Sequence, residues 1–231
     1  MMKTQRISLS VALMFFVSTL SAQFYLGIEG GVGSHYSVNQ NKEHVDALGA
    51  LNFGYLFWEK SDTGRTMGIL FEVGAEYNNW EMIFIDKNLK SRADFVYTEF
   101  TSRINAIKIP VLFGAEGLFF PGTGIRFNVF LGFYFSYGLK SAGTLQGFTM
   151  NDDIYADLTD VFKDKPTFPN YKYEPLKNYN VGLRAGVKII LSWNVYLKVN
   201  ADIDFLKMSA QQKNPTTFGN IAVGYRLKFK N

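Results

Sequence analysis

The chain has 231 residues, a net charge of +4 and no cysteine, and 47% of its residues are hydrophobic. The lack of cysteine excludes disulfides and thiolate metal sites, and the weak, interleaved positive charge argues against a nucleic-acid-binding protein. Beyond the N-terminus, the hydrophobic residues never gather in an apolar run of about 20 residues, the length that a transmembrane helix needs.

The N-terminal segment 1–23 has the pattern of a secretory signal peptide. Lys3 and Arg6 form a basic start, the apolar run 11–17 follows, and small residues precede the expected cleavage point. Because this run is too short to span a bilayer as a helix, we expect cleavage rather than anchoring. The mature chain, residues 24–231, then forms one domain, with a net charge of +2 once Lys3 and Arg6 are removed.

Eight segments of the mature chain alternate between apolar residues and polar residues or glycine. This alternation predicts β-strands, because successive side chains of a strand point to opposite faces. It is most regular in the hairpin 180–205, where 192–194 leave room only for a tight turn. In chain order, the predicted strands are 24–38, 46–58, 67–86, a fourth that includes 107–116, 125–137, the two arms of the 180–205 hairpin, and a last strand that ends at Phe229. Pro110 lies within the fourth strand, where proline cannot donate to the ladder, so we expect a local β-bulge.

The apolar face of the 180–205 hairpin carries no charge, whereas its opposite face carries full charges. A soluble lipocalin-like barrel would bury the apolar face and would need a polar exterior that these strands do not offer. A membrane barrel instead turns that face to lipid, and short periplasmic turns alternate with longer external loops, as they do here. The sequence therefore predicts an all-β fold with an N-terminal signal peptide, an eight-stranded antiparallel transmembrane up-and-down β-barrel in the outer membrane of a Gram-negative bacterium. Eight strands enclose a lumen that side chains just fill.

Several stretches resemble a known family. They are the Ser-Ala-Gln ending of the leader, the opening FYLGIEGGVGSH, the segment IKIPVLFG at 107–114, the hairpin segment GLRAGVKI and the closing IAVGYRLKFK. Together they resemble the outer-membrane β-barrel proteins of the Bacteroidota, the PorT-like barrel domain group. The resemblance covers essentially the whole mature chain and implies an architecture without marking a catalytic residue. Since PorT itself is implicated in type IX secretion, the resemblance also implies, as one alternative, an accessory role in a secretion or envelope machine.

Charged side chains on the inward face form the most informative set of candidate residues. Their near balance favours paired ions that fill the lumen, because a buried unpaired charge is costly. The alternative is a polar path for ions or small solutes, which would need a wider lumen or a lining of one sign. The set comprises Glu29, Glu72, Glu76, Lys108, Glu116, Arg126, Arg184, Lys188, Lys198, Asp202, Asp204, Arg226 and Lys228.

The sequence offers only weak candidates for catalysis or metal binding. Asp202 and Asp204 share a face, but Lys198 and Arg226 are expected to pair with them, so we favour ion pairs over a catalytic carboxylate pair. The two histidines, at positions 35 and 44, are interpreted as surface residues rather than as a metal site or a base. An acidic cluster lacks the glycine and closing glutamate of a calcium loop; it comprises Asp152, Asp153, Asp157, Asp160 and Asp164. We therefore expect no catalytic residue, no metal and no cofactor.

The segment 140–177 is predicted to be a long, irregular external loop, far longer than the usual hairpin connection of about 2–5 residues. Its aromatic residues indicate a binding surface, with a floppy protective loop as the alternative; they are Phe148, Tyr155, Phe162, Phe168, Tyr171 and Tyr173. The leading hypothesis is a structural and interaction protein, not an enzyme, that contacts outer-membrane lipid and an extracellular or envelope protein, but no nucleic acid. A secretion accessory, a small-solute pore and a barrel-embedded enzyme are the alternatives.

Overall fold

The computed structural model describes residues 22–36, 45–60, 66–86, 95–118, 122–139, 141–149, 153–164, 167–168, 171–172, 175–207 and 216–229. Nearly all of the predicted signal peptide lies outside these residues, although the first strand already begins at Ala22. Within the described part of the chain, no helix has the length and apolar character needed to cross a membrane.

Eight long antiparallel strands close into a barrel, as the alternation predicts. They are β1 (Ala22–Tyr36), β2 (Val45–Lys60), β3 (Thr66–Asp86), β4 (Phe95–Leu118), β5 (Arg126–Gly138), β10 (Tyr179–Ile190), β11 (Val195–Asp204) and β12 (Thr217–Phe229). Their order around the wall is β3-β2-β1-β12-β11-β10-β5-β4, and pairing of β3 with β4 closes the ring. The end at which β2 connects to β3, β4 to β5 and β10 to β11 is called the inner end, and the opposite end is called the outer end.

The pattern of burial shows which face of each strand points outward. On β5, Leu131 and Phe133 are 57% and 60% exposed, whereas Phe130 and Tyr134 are 2% exposed. The charged side chain of Arg184 on β10 is fully buried. An apolar exterior around a charged interior is the arrangement of a transmembrane barrel and the reverse of a soluble one.

Pro110 does not produce the predicted bulge. The register between β3 and β4 continues from Val73 opposite Val111 to Glu76 opposite Lys108 without a shift. Opposite Pro110 at this position lies Gly74, where a Cβ would come within 3.1 Å of the proline Cγ. The strand can remain straight because a glycine, rather than a bulge, makes room for the ring.

The segment 140–177 is not wholly irregular, which corrects the sequence-based expectation. It contains β6 (Gly143–Thr149) and β7 (Asp153–Leu158), which form an antiparallel hairpin, and the short pair β8 (Thr167–Phe168) and β9 (Tyr171–Lys172). Strand β6 pairs with the outer part of β4 from Ser102 opposite Gly143 onward, just beyond the point where β5 ends. The barrel wall therefore continues outward as a small additional sheet.

Candidate functional site

The outer half of the lumen is organised around Arg184. Its guanidinium binds Asp202, the residue opposite it on β11, through two contacts of 2.6 Å. It also reaches Glu76 on β3 with contacts of 2.6 and 2.9 Å. Lys108 donates to Asp202 at 3.0 Å. All four charged groups are buried, so one guanidinium and one ammonium neutralise two carboxylates across the barrel.

Two further ion pairs fill the middle of the lumen. Lys188 contacts both carboxylate oxygens of Glu72 at 2.6 Å, and Lys198 pairs with Glu29. Two tyrosines complete the hydrogen bonding of these acids: Tyr25 donates to Glu72, and Tyr196 donates to Glu29 at 3.1 Å.

Near the inner end, a single carboxylate forms ion pairs with two guanidinium groups. Glu116 contacts Arg226 at 2.7 Å and Arg126 at 3.3 Å. Arg126 also donates to the side-chain oxygen of Asn194, in the turn before β11, at 3.3 Å. Lys228 lies below this layer and is partly exposed.

The structure brings all the predicted lumen charges to the inward face, but two of the expected pairings are wrong. Lys198 and Arg226 do not pair with Asp202 and Asp204; they pair with Glu29 and Glu116. Asp202 is held instead by Arg184 and Lys108. Asp204 accepts a hydrogen bond from Tyr134. Asp46 is a further buried acid that the predicted set omits.

Lumen tyrosines are functional residues that the sequence reasoning did not single out. Tyr25, Tyr134 and Tyr196 each lie opposite a glycine on the neighbouring strand, and each donates to a lumen carboxylate. The pattern that identifies them is an inward tyrosine directly opposite an inward glycine on the neighbouring strand. This pattern can be recognised only when the register of the paired strands is known.

An apolar cluster covers the outer mouth of the barrel and joins the β6–β7 hairpin to the wall. It contains Trp80, Phe100, Ile104, Leu145, Leu158, Val161, Leu176 and Phe218. The rings of Trp80 and Phe218 meet edge to face, with centroids 5.4 Å apart. Backbone hydrogen bonds from Val161 to Ser141 and from Leu176 to Val161 hold the loop over the cluster. This assembly of β6, β7 and residues 159–164 and 175–178 is called the outer cap.

The predicted aromatic binding residues divide into separate groups. Tyr155 is 64% exposed on β7, whereas Phe162 packs against the apolar cluster and is therefore not a surface anchor. Phe148, Phe168 and Tyr171 lie in described strands, but their side chains, like the whole of Tyr173, fall outside the described residues. The same holds for the side chain of His35 and for all of His44.

The acidic residues of the outer cap form a local turn. Asp160 accepts from the backbone N–H of Phe162 at 3.1 Å, and Asp164 accepts from the backbone N–H of Asp160 at 2.7 Å. Thr159 donates to the same Asp164 carboxylate at 3.1 Å. Asp157 is exposed, whereas Asp152 and the side chain of Asp153 lie outside the described residues. Among the residues described, no group of three or more His, Cys, Asp or Glu side chains is placed to hold a metal ion.

Comparison with known proteins identifies a family and several similar solved structures. Residues 18–206 match the family described as outer membrane protein beta-barrel domain. A search of curated proteins finds no match. Similar solved structures include Ail of Yersinia pestis with the heparin analogue sucrose octasulfate, at 9% identity and a TM-score of 0.36, covering 90% of this chain and 99% of that one. The outer membrane enzyme PagL is 11% identical with a TM-score of 0.43, covering 87% and 98%. Neisserial surface protein A is 14% identical with a TM-score of 0.37, covering 90% and 99%.

Proposed function

Because the chain belongs to the outer membrane protein beta-barrel domain family, as the match over residues 18–206 shows, we propose that it is a structural and interaction protein of the cell envelope. The barrel is a closed anchor in the outer membrane, and the outer cap presents the recognition surface. The leader 1–23 is cleaved on export. The observation that carries this proposal is the fixed seating of the β6–β7 hairpin on an apolar cluster at the barrel mouth.

The packing of charged side chains in the lumen favours a membrane anchor over a pore. Arg184 bridges Glu76 and Asp202 across the interior, and each of these side chains is at most 2% exposed. An eight-stranded cross-section is just wide enough for its side chains, so ion pairs that span it leave little room for a path. The same ion pairs also favour a non-enzymatic role, because carboxylates that are bound to guanidinium and ammonium groups are poorly placed to act as a general acid or base.

The outer cap supports recognition because it is ordered and also offers exposed groups. Tyr155 is 64% exposed while its hydroxyl accepts from Gln146 of the neighbouring strand at 2.6 Å. Leu158, three residues further along the chain, is 2% exposed within the apolar cluster. A tyrosine held on a rigid hairpin loses little conformational freedom when a partner binds, which favours affinity.

A second candidate function is a PorT-like accessory component of a secretion or envelope machine of the Bacteroidota. A groove of about 660 Å³ on the outward wall favours it, since both small and bulky residues line it. Gly114, Ala115 and Ala185 lie among the larger side chains of Phe113 and Leu131. Small residues of this kind allow close approach of another membrane-embedded segment.

Replacement of residues 141–173 by a short turn tests the first proposal. Because this removes the apolar cover, Trp80 and Phe218 should be changed to threonine in the same variant. The barrel should still fold and keep its heat-resistant gel mobility, while surface binding or a fitness phenotype of the parent is lost.

A second variant separates the loss of binding groups from the loss of packing in the outer cap. The double substitution Tyr155→Ala and Gln146→Ala changes exposed groups of the hairpin and leaves the apolar cluster intact, so it should weaken binding without loosening the cap. If both variants fold and retain every phenotype of the parent, recognition does not lie in the outer cap. A partner that cross-links to the wall groove instead would favour the accessory role.

A further inference from the structure

Positive charge exceeds negative charge at the inner end of the lumen. Arg126, Arg226 and Lys228 gather there around one carboxylate, Glu116, and Lys228 lies within electrostatic range of the other three groups. In the middle of the lumen, by contrast, the two acids and two ammonium groups balance. Among the described residues, the inner layer is thus rich in cationic groups.

One edge of the Arg226 guanidinium could donate two parallel hydrogen bonds but has no acceptor among the described residues. Its Nη1 donates to Glu116 at 2.7 Å, and its guanidinium lies 4.0 Å from the centroid of the Tyr25 ring. Its Nε and Nη2 are buried and have no acceptor within the described part of the chain. These two N–H groups form the fork that matches a carboxylate or another small anion. The arginine is 1% exposed, so the orphaned donors are expensive to leave unsatisfied.

Asn128 supplies a further orphaned donor in the same layer. It lies directly opposite Glu116 in the pairing of β4 with β5 and is fully buried. Among the described residues, its side-chain N–H₂ group finds no acceptor and its side-chain oxygen finds no donor. Arg226 and Asn128 are therefore both neighbours of Glu116, and both have unused donors in a region rich in cationic groups.

We propose that the inner layer of the lumen is a binding site for one compact monovalent anion, of the size of chloride or formate. The Nε–Nη2 fork of Arg226 holds the anion, Asn128 donates from the side-chain amide, and Arg126 and Lys228 neutralise its charge. The partly exposed Lys228 marks the side of entry, at the inner end, which faces the periplasm in a barrel with short periplasmic turns. The bound anion stabilises the folded barrel, because the unfolded chain lacks the site.

Thermal or urea unfolding of the purified barrel at constant ionic strength tests this site. In this experiment, chloride or formate is exchanged for gluconate, a far larger anion than the one proposed. Above the dissociation constant, each tenfold rise in chloride or formate should lower the unfolding equilibrium constant tenfold, as expected for one anion released on unfolding. Asn128→Leu and Arg226→Lys should reduce this dependence, since one removes a donor and the other removes the fork while keeping the charge.

Asn200→Leu is the matched control, since Asn200 is a lumen amide bound to Asp202 in the outer half. It should keep the full anion dependence. Bromide anomalous scattering should place one peak beside Arg226. Equal stability in chloride, formate and gluconate overturns the proposal and leaves water as the partner of these donors.

Discussion

The ring of Tyr196 on β11 lies against Gly224, its registered partner on β12, so closely that a Cβ at position 224 would fall on the ring atoms. From there the hydroxyl of Tyr196 donates to Glu29 at 3.1 Å. Tyr25 with Gly54 and Tyr134 with Gly182 repeat the arrangement at two other strand pairs. Each aromatic side chain thus covers a glycine and also completes the hydrogen bonding of a buried acid.

Gly224→Ala should therefore destabilise the barrel by about 1–3 kcal/mol, the usual cost of overpacking. The measurement is urea unfolding of the barrel in lipid vesicles. In a Tyr196→Ala background the same change should cost much less, because the ring that it displaces is gone. Gly219→Ala is the matched control on the same strand, since a Cβ there meets nothing within 4 Å. Equal stability of the Gly224→Ala and Gly219→Ala variants would show that the ring does not pack against the strand.

Arg184→Met should cause a large loss of stability. It leaves Glu76 and Asp202 buried with one ammonium group near them, and breaking a buried ion pair typically costs about 3–5 kcal/mol. Lys228→Met should cost far less, because Lys228 is partly exposed and has no ion pair among the described residues. Both free energies of unfolding can be measured by urea titration.

The double variant Glu76→Gln, Arg184→Met separates the two components of that loss. It removes the guanidinium together with one carboxylate and keeps the buried pair of Lys108 with Asp202, so no charge is left uncompensated and it should be more stable than Arg184→Met alone. If the double variant is instead the less stable, the attraction of Glu76 for the remaining ammonium group outweighs the cost of burying its charge.

The sequence predicted the barrel well because the signal for each strand is local. Alternation over ten or more residues indicates both a strand and its outward face, and the tight turn at 192–194 aligns Arg184 with Asp202. The contacts across the lumen could not be obtained in this way. Arg226 and Glu116 lie on opposite walls, 110 residues apart in the chain, and their meeting depends on how the whole ring closes.

The outer cap was missed for a different physical reason. Strands β6 and β7 are short, and their apolar residues Leu145 and Leu158 do not belong to a long alternating pattern. Their order comes from hydrogen bonding to the outer part of β4 and from burial with Trp80 and Phe218, both distant in sequence. The predicted loop therefore has a fold that the local sequence does not indicate.

Purified protein in planar bilayers should show negligible conductance, because the ion pairs around Arg184 fill the cross-section. Removing the outer cap should leave the conductance unchanged, since these pairs lie below the apolar cluster. Currents in the capless variant alone would identify the cap as a gate, and large stable currents in the unmodified protein would identify a pore.

Leu158→Asp should release the outer cap while leaving the barrel intact. Leu158 is 2% exposed within the apolar cluster, and an aspartate there would place an unpaired charge among Trp80, Val161 and Phe218. The hairpin should then open more often, since its backbone hydrogen bonds to β4 and between Val161 and Ser141 would no longer be supported by the buried apolar contacts. Limited proteolysis of whole cells should cut the segment 141–164 faster, with heat-resistant gel mobility of the barrel unchanged.

Tyr155→Asp is the control for that experiment, because it adds the same charge on the same strand at a side chain that is 64% exposed. It should leave the cleavage rate at the parental level, since water can solvate the new carboxylate. A loss of barrel mobility in Leu158→Asp would mean that the cap and the barrel unfold as one unit. Equal cleavage of the parent and both variants would mean that the apolar cluster does not hold the hairpin in place.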